Sequence, residues 1–190
     1  PDLINIQLLD ERDDQAMSIV KGGLEVLPRS PLLKVAMAKI YQFRGKNDQA
    51  LSELEFPKKN FGHMTEVSFA LADVMIDSKE ISQAYEIINP LVQKEVKDPD
   101  LQYLRAKAYL NDTETGRGVG SMEAAYRSID TAIRADEENI RYRILAAQIA
   151  LQLQDKNSAT EHLEVALKVK PHFVPALLIR GDLYRESGDY

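Results

Sequence analysis

Pro31-Leu32-Leu33-Lys34-Val35-Ala36-Met37-Ala38-Lys39-Ile40-Tyr41-Gln42-Phe43-Arg44-Gly45-Lys46-Asn47-Asp48-Gln49-Ala50-Leu51 reads as a helix, a turn and the opening of a second helix. Leu33, Met37, Ile40 and Tyr41 share one face at the 3.6-residue period, with Ala38 beside them where a neighbouring helix comes close. Gly45-Lys46-Asn47-Asp48 has turn chemistry, and Gln49-Ala50-Leu51 continues through Leu54 and Phe56 as the second helix. Ser30 precedes Pro31, an N-cap hydroxyl followed by a proline at the first helical position, where the missing N–H has no intrahelical acceptor to lose. Asp98-Pro99 repeats that signature further along.

Outward from this hairpin the same marks recur in step. Ala16, Ala50, Ala84, Ala125 and Ala159 stand 34, 34, 41 and 34 residues apart. Ala38, Ala72, Ala106, Ala147 and Gly181 repeat those four intervals, and so do Tyr41, Met75, Tyr109, Ala150 and Tyr184. Three residue classes thus hold one register along nearly the whole chain, the signature of an internal repeat. The long interval falls after Tyr109 and before Ala125, which places seven extra residues in the turn between two helices. Small residues suit the ladder because antiparallel helices pack about 8–10 Å apart, and only Ala or Gly lets the backbones reach the near end of that range.

The chain has 190 residues and a formal net charge of −6, without a clustered Lys/Arg face, which argues against a nucleic-acid partner. It contains no cysteine, so disulfides, thiolate nucleophiles and Cys-ligated zinc are excluded. No run approaches the roughly 18–20 apolar residues of a membrane span, and the first residues lack a signal-peptide pattern. Membrane insertion is therefore not expected, while cytoplasm and bacterial periplasm or envelope are both compatible with the composition. The chain begins at Pro1 and stops at Tyr190, which by the register is the first residue of a helix, so it reads as an excised piece of a longer multi-repeat protein.

These marks resemble the tetratricopeptide repeat (TPR), a 34-residue helix-turn-helix with small residues at its eighth, twentieth and twenty-seventh places, an aromatic at the eleventh, glycine near the fifteenth and proline at the thirty-second. Gly181, Tyr184 and Gly188-Asp189-Tyr190 match the last unit well, and Pro28 and Pro171 hold the proline place. The resemblance covers the entire chain as a single array: a partial repeat at 1–30, repeats at 31–64 and 65–98, a repeat at 99–139 with the seven-residue insertion, a repeat at 140–173, and a partial repeat at 174–190. It implies an all-α fold, a right-handed superhelix (α-solenoid) of antiparallel helical hairpins. Some places depart from the pattern. Arg105 and Arg180 stand where an apolar residue is usual, so their stems lie along the core with the heads in water or those helices are slightly rotated. Pro57 is expected to end its helix early, and Pro90 to kink the second helix of the 65–98 unit unless that helix breaks there. The array is expected to be less regular before residue 99 than after it.

In this family the first helices form the concave wall. Their fifth places are Val35, Phe69, Tyr103, Ile144 and Leu178; their ninth places are Lys39, Asp73, Lys107, Gln148 and Asp182; and their twelfth places include Ile76, Leu110 and Leu151. The resemblance implies a non-catalytic protein–protein interaction scaffold that binds a peptide or partner helix along this face. In the competing reading the fifth-place residues simply pack on the next unit and the charges form exposed ion pairs. A clamp for acidic chaperone tails, built in relatives from lysine, asparagine and arginine, is not expected, because the corresponding fifth and sixth places are apolar or alanine in the units spanning 31–139.

Catalytic, cofactor and metal residues are not found. His63, His162 and His172 are scattered without metal-ligand spacing. Asn111 to Ser121 is glycine-rich but lacks the strand, or the Gly-Lys-Ser/Thr, that phosphate loops require, and is read as a flexible turn. The alternative function is a regulatory or spacer segment of a larger enzyme, or of a bacterial export or envelope-assembly protein, whose chemistry lies elsewhere. Self-association through the incomplete terminal repeats is a further expectation.

Overall fold

The computed structural model describes residues 13–94, 98–112 and 118–187. Among the described residues there are ten helices and no strand. They are α1 (Asp13–Val26), α2 (Pro31–Phe43), α3 (Asn47–Phe61), α4 (Thr65–Asp77), α5 (Ile81–Gln93), α6 (Pro99–Asn111), α7 (Gly118–Ala135), α8 (Ile140–Gln152), α9 (Lys156–Val169) and α10 (Val174–Ser187). The fold is an all-α helical repeat. The chain divides into two compact units, Pro1–Leu91 and Val92–Tyr190.

Helix starts follow side-chain chemistry. Ser30 Oγ accepts from the Leu33 N–H at 3.4 Å, and Asp98 Oδ1 accepts from the Asp100 N–H at 2.8 Å, each just ahead of its proline. Asn139 caps α8 through the N–H groups of Arg141 and Tyr142, and Asp155 caps α9 through that of Ser158 at 3.0 Å. These side chains supply acceptors for N–H groups that a helix leaves unsatisfied.

Helix ends follow backbone chemistry, and three of them are alike. After α2, Lys46 N–H donates to Tyr41 C=O (2.8 Å) and Gly45 N–H to Gln42 C=O (2.9 Å), with Gly45 at φ 69°. After α4 the pair is Glu80 to Met75 and Lys79 to Ile76, with Lys79 at φ 65°. After α8 it is Asp155 to Ala150 and Gln154 to Leu151, with Gln154 at φ 61°. This double bond pattern around one left-handed residue is a Schellman turn, which satisfies the last carbonyls of a helix while reversing the chain. The next helix follows within two or three residues, as in α3, which begins at Asn47. Asn47 and Asp48, expected in the turn, thus belong to the helix, because the reversal is complete at Gly45 and Lys46.

In the first unit α1 packs on α2, α2 on α3, α3 on α4, and α2 also on α4. Ala16, Val20, Ala36, Met37 and Ile40 form one buried cluster, with Met17, Leu24 and Tyr41 against it. In the second unit α6 packs on α7, α7 on α8, α8 on α9, α9 on α10, and α6 also on α8. Its core joins Ala147 and Ala150 of α8, Ala159, Leu163 and Ala166 of α9, and Ala176 and Leu183 of α10. All ten ladder alanines, at 16, 38, 50, 72, 84, 106, 125, 147, 150 and 159, are 0% exposed, the packing role their size predicts. Fully burying a Leu such as Leu163 contributes about 1.5–3 kcal/mol, so each hairpin depends on its neighbours for cover.

Two sequence expectations need correction, one at Pro57 and one at the glycine-rich segment. Pro57 does not end its helix: α3 continues to Phe61, with the proline ring fully buried. The lost hydrogen bond and the ring's clash together cost about 3 kcal/mol, and burial of the apolar ring offsets part of that. Pro90 lies near the end of α5, which continues to Gln93. The glycine-rich segment is not all turn either, since Gly118 to Ser121 form the first turn of the 18-residue α7. The rest of that insertion, residues 113–117, lies outside the described residues, as do residues 1–12 and Gly188-Asp189-Tyr190.

Candidate functional site

The candidate residues lie on the first helix of each hairpin. In the first unit Val35 and Lys39 are on α2, and Phe69 and Asp73 on α4. Val35, Asp73 and Ile76 are buried, while Lys39 and Phe69 are half-buried. α2 and α4 are held together by Gln42, whose Nε2 donates to Asp77 Oδ2 at 2.6 Å. On α2 and α3, Lys34 Nζ meets Glu53 Oε2 at 2.8 Å. The fifth and ninth places of this unit thus serve packing as much as they offer surface.

The second unit is more open toward its end. Tyr103 is buried and Lys107 half-buried on α6; Ile144 is half-buried and Gln148 exposed on α8; Leu178 and Asp182 are exposed on α10. Ile144 and Leu151 rest against the buried cluster of the unit and keep part of their surface in solvent. Leu178 is 65% exposed, and Asp182 pairs with Arg185 at 2.7 Å. Apolar and polar groups therefore alternate along α8 and α10 in the register read from the sequence.

One cluster gives this face a fixed shape. Tyr103 and Tyr142 rings lie 5.6 Å apart, tilted by 34°, and the Arg141 guanidinium covers the Tyr103 ring at 4.6 Å from its centre. Arg141 Nη1 is 3.9 Å from Asp100 Oδ1, and the same carboxylate oxygen accepts a 2.8 Å hydrogen bond from the Tyr142 phenol. Burial, and then the Asp100 charge, push the Tyr142 phenol well above the usual tyrosine range, so it remains a neutral donor. Stacking of an Arg on an aromatic ring contributes about 0.5–2 kcal/mol and fixes the guanidinium plane. Asp100 and Arg141 are not among the candidate residues read from the sequence. They hold the second place of their units, on the same helix face as the fifth and ninth, and the repeat register would have found them.

Arg105 resolves one of the irregular places: its guanidinium lies over the Tyr109 ring at 5.6 Å and its Nη2 donates to the phenol at 3.4 Å. Its stem is half-buried, as a long amphipathic side chain on the rim of a core should be. Among the described residues no group of three or more His, Asp or Glu side chains could hold a metal ion, and no helix is long and apolar enough to cross a membrane.

No protein-family model and no curated protein matches the sequence. Solved structures do match. The TPR protein TTC0263 of Thermus thermophilus is similar with a TM-score of 0.71 at 20% identity, over 84% of each chain. PilF of Pseudomonas aeruginosa matches with a TM-score of 0.58 at 15% identity, over 99% of this chain and 82% of that one. YrrB, a TPR protein with an unusual peptide-binding site, matches with a TM-score of 0.53 at 14% identity, over 95% of this chain and 89% of that one. At these identities the likeness is one of fold, and the fold is that of tetratricopeptide-repeat proteins.

Proposed function

We propose that this tetratricopeptide-fold chain is a non-catalytic scaffold that holds a protein partner, as an extended peptide or a helix, against the first helices of its hairpins. The observation that carries the reading is the α8 and α10 face, where Ile144, Leu151 and Leu178 present apolar surface between the polar groups of Gln148 and Asp182. Apolar anchors supply affinity when a partner covers them, and polar groups at fixed intervals set its register. The stacked Arg141 and Tyr103 support the same reading, because a side chain already held in place loses little freedom when a partner arrives. In the first unit, considered by itself, Val35, Lys39, Phe69 and Asp73 hold the corresponding places of α2 and α4, and their burial gives them a supporting role there.

The test is selection of peptides from a random display library on the immobilised chain, followed by affinity measurement on variants. Leu178→Glu and Gln148→Glu are expected to weaken a selected peptide by about tenfold or more, which corresponds to roughly 1.4 kcal/mol. Failure to select any peptide, or unchanged affinity in both variants, overturns the proposal. Val174, Leu178 and Tyr184 are exposed on α10, so light scattering belongs in the same experiment to separate peptide binding from pairing of two copies.

A further inference from the structure

His162 is not among the residues of the proposed partner face. It is half-buried on α9, and its Nδ1 is 3.1 Å from Nη1 of Arg143 on α8. An arginine side chain only donates, so Nδ1 must hold a lone pair and the ring proton must sit on Nε2. The Nε–H of the same arginine donates to the Glu137 carbonyl at 2.7 Å, in the turn that joins α7 to α8. That turn is closed by Asn139, whose side chain caps α8 and donates to Asp136 Oδ2 at 3.1 Å. Arg143 therefore connects three parts of the second unit: the turn, α8 and α9.

We propose that Arg143 and His162 form an acid-sensitive latch, in which the neutral imidazole accepts from the guanidinium and protonation of Nδ1 opens the contact, releasing the 136–139 turn from α9. The mechanism is local. Protonation turns the acceptor into a donor and sets a cation 3.1 Å from a guanidinium in a partly desolvated site. The charges around the ring come from several elements: Arg143 on α8, Glu161 beside it on α9, Asp155 at the N-cap of α9 and Asp130 on α7. Asp130 is itself held by Arg134 at 2.7 Å, and on α10, which packs on α9, Asp182 is held by Arg185. Burial first, and then Arg143, hold the imidazole below its ordinary range, against the opposing pull of the three carboxylates. The sign follows: the latch is closed at neutral pH and opens as pH falls through the lowered imidazole value.

Two measurements test this on the full chain. In a His63→Gln, His172→Gln background His162 is the sole histidine, and its ring signals can be followed by NMR from about pH 8 to pH 4, the span over which an imidazole titrates. The ring is expected to titrate below 6.5 and to move upward in an added Arg143→Met variant. Hydrogen exchange supplies the second readout. Corrected for intrinsic pH dependence, exchange at the amides of residues 136–143 should accelerate as acidification protonates the imidazole. In His162→Gln, whose side-chain oxygen accepts from Arg143 but takes no proton, that acceleration should vanish. A ring titration indifferent to Arg143→Met, or equal acid-induced exchange in His162→Gln and wild type, overturns the proposal.

Discussion

The Tyr142 phenol donates a 2.8 Å hydrogen bond to the carboxylate of Asp100, 42 residues earlier, and so joins the first helices of two consecutive hairpins, α6 and α8. Hydrogen bonds to charged acceptors contribute about 1.5–3 kcal/mol when buried, and the half-exposed Asp100 lowers that to about 1 kcal/mol. Tyr142→Phe should lose this amount in urea denaturation at neutral pH, and a double-mutant cycle with Asp100→Ala should recover most of it as coupling. The pH dependence is specific. Above the unfolded phenol value of 10.0 the unfolded chain releases its proton while the folded chain keeps it, so stability falls as pH rises. The wild type should therefore lose stability between about pH 10 and 11 more steeply than Tyr142→Phe, which has no proton to lose.

The three Schellman turns predict opposite effects at equivalent places. Lys79 and Gln154 carry side chains in the left-handed region that Gly45 occupies without a Cβ penalty. Lys79→Gly and Gln154→Gly should each raise stability by about 0.5–1 kcal/mol, and Gly45→Ala should lower it by a similar amount. Thermal melts of the three variants check the set, and a stabilising Gly45→Ala would contradict the assignment.

Gly181 and Ala147 hold the same place in the repeat but meet different surroundings. A Cβ added at Gly181 finds no atom within 4 Å, whereas Ala147 is wholly buried. Gly181→Ala should stabilise by about 0.5–1 kcal/mol through helix propensity. Ala147→Leu should destabilise by about 1–3 kcal/mol through overpacking. Chemical denaturation of both variants separates the two cases.

The proposed face contains structural and recognition residues that mutation can tell apart. Tyr103→Ala removes the ring that carries both Arg141 and Tyr142 and should cost about 3–5 kcal/mol of stability. Leu178→Glu, at a site 65% exposed, should change stability by no more than about 0.5 kcal/mol while weakening a bound peptide. Paired melting and binding measurements on the two variants are the check.

Much of the fold was legible in the sequence because its signals are local. Ser30-Pro31 and Asp98-Pro99 mark helix starts by capping chemistry, and the alanine ladders mark close approach. Pro57 misled because its ring is read locally as a breaker, while its burial depends on how α3 packs, which no short stretch records. The face was legible as a register and less so as a surface. Val35 and Leu178 hold the same place in their repeats, yet one is 6% and the other 65% exposed, since exposure is decided by neighbouring helices. The Arg143–His162 contact escaped for the same reason: nineteen residues and a turn separate the partners, and neither carries a motif.

Chain reversal after α2, α4 and α8 is enforced by main-chain donors and acceptors that every amino acid possesses, with a left-handed residue that can be glycine, lysine or glutamine. Shape is thereby uncoupled from wording: side chains can drift far while the path of the backbone persists. A chain 20% identical to TTC0263 can keep a similar fold for that reason, and its side chains are left at liberty to diverge.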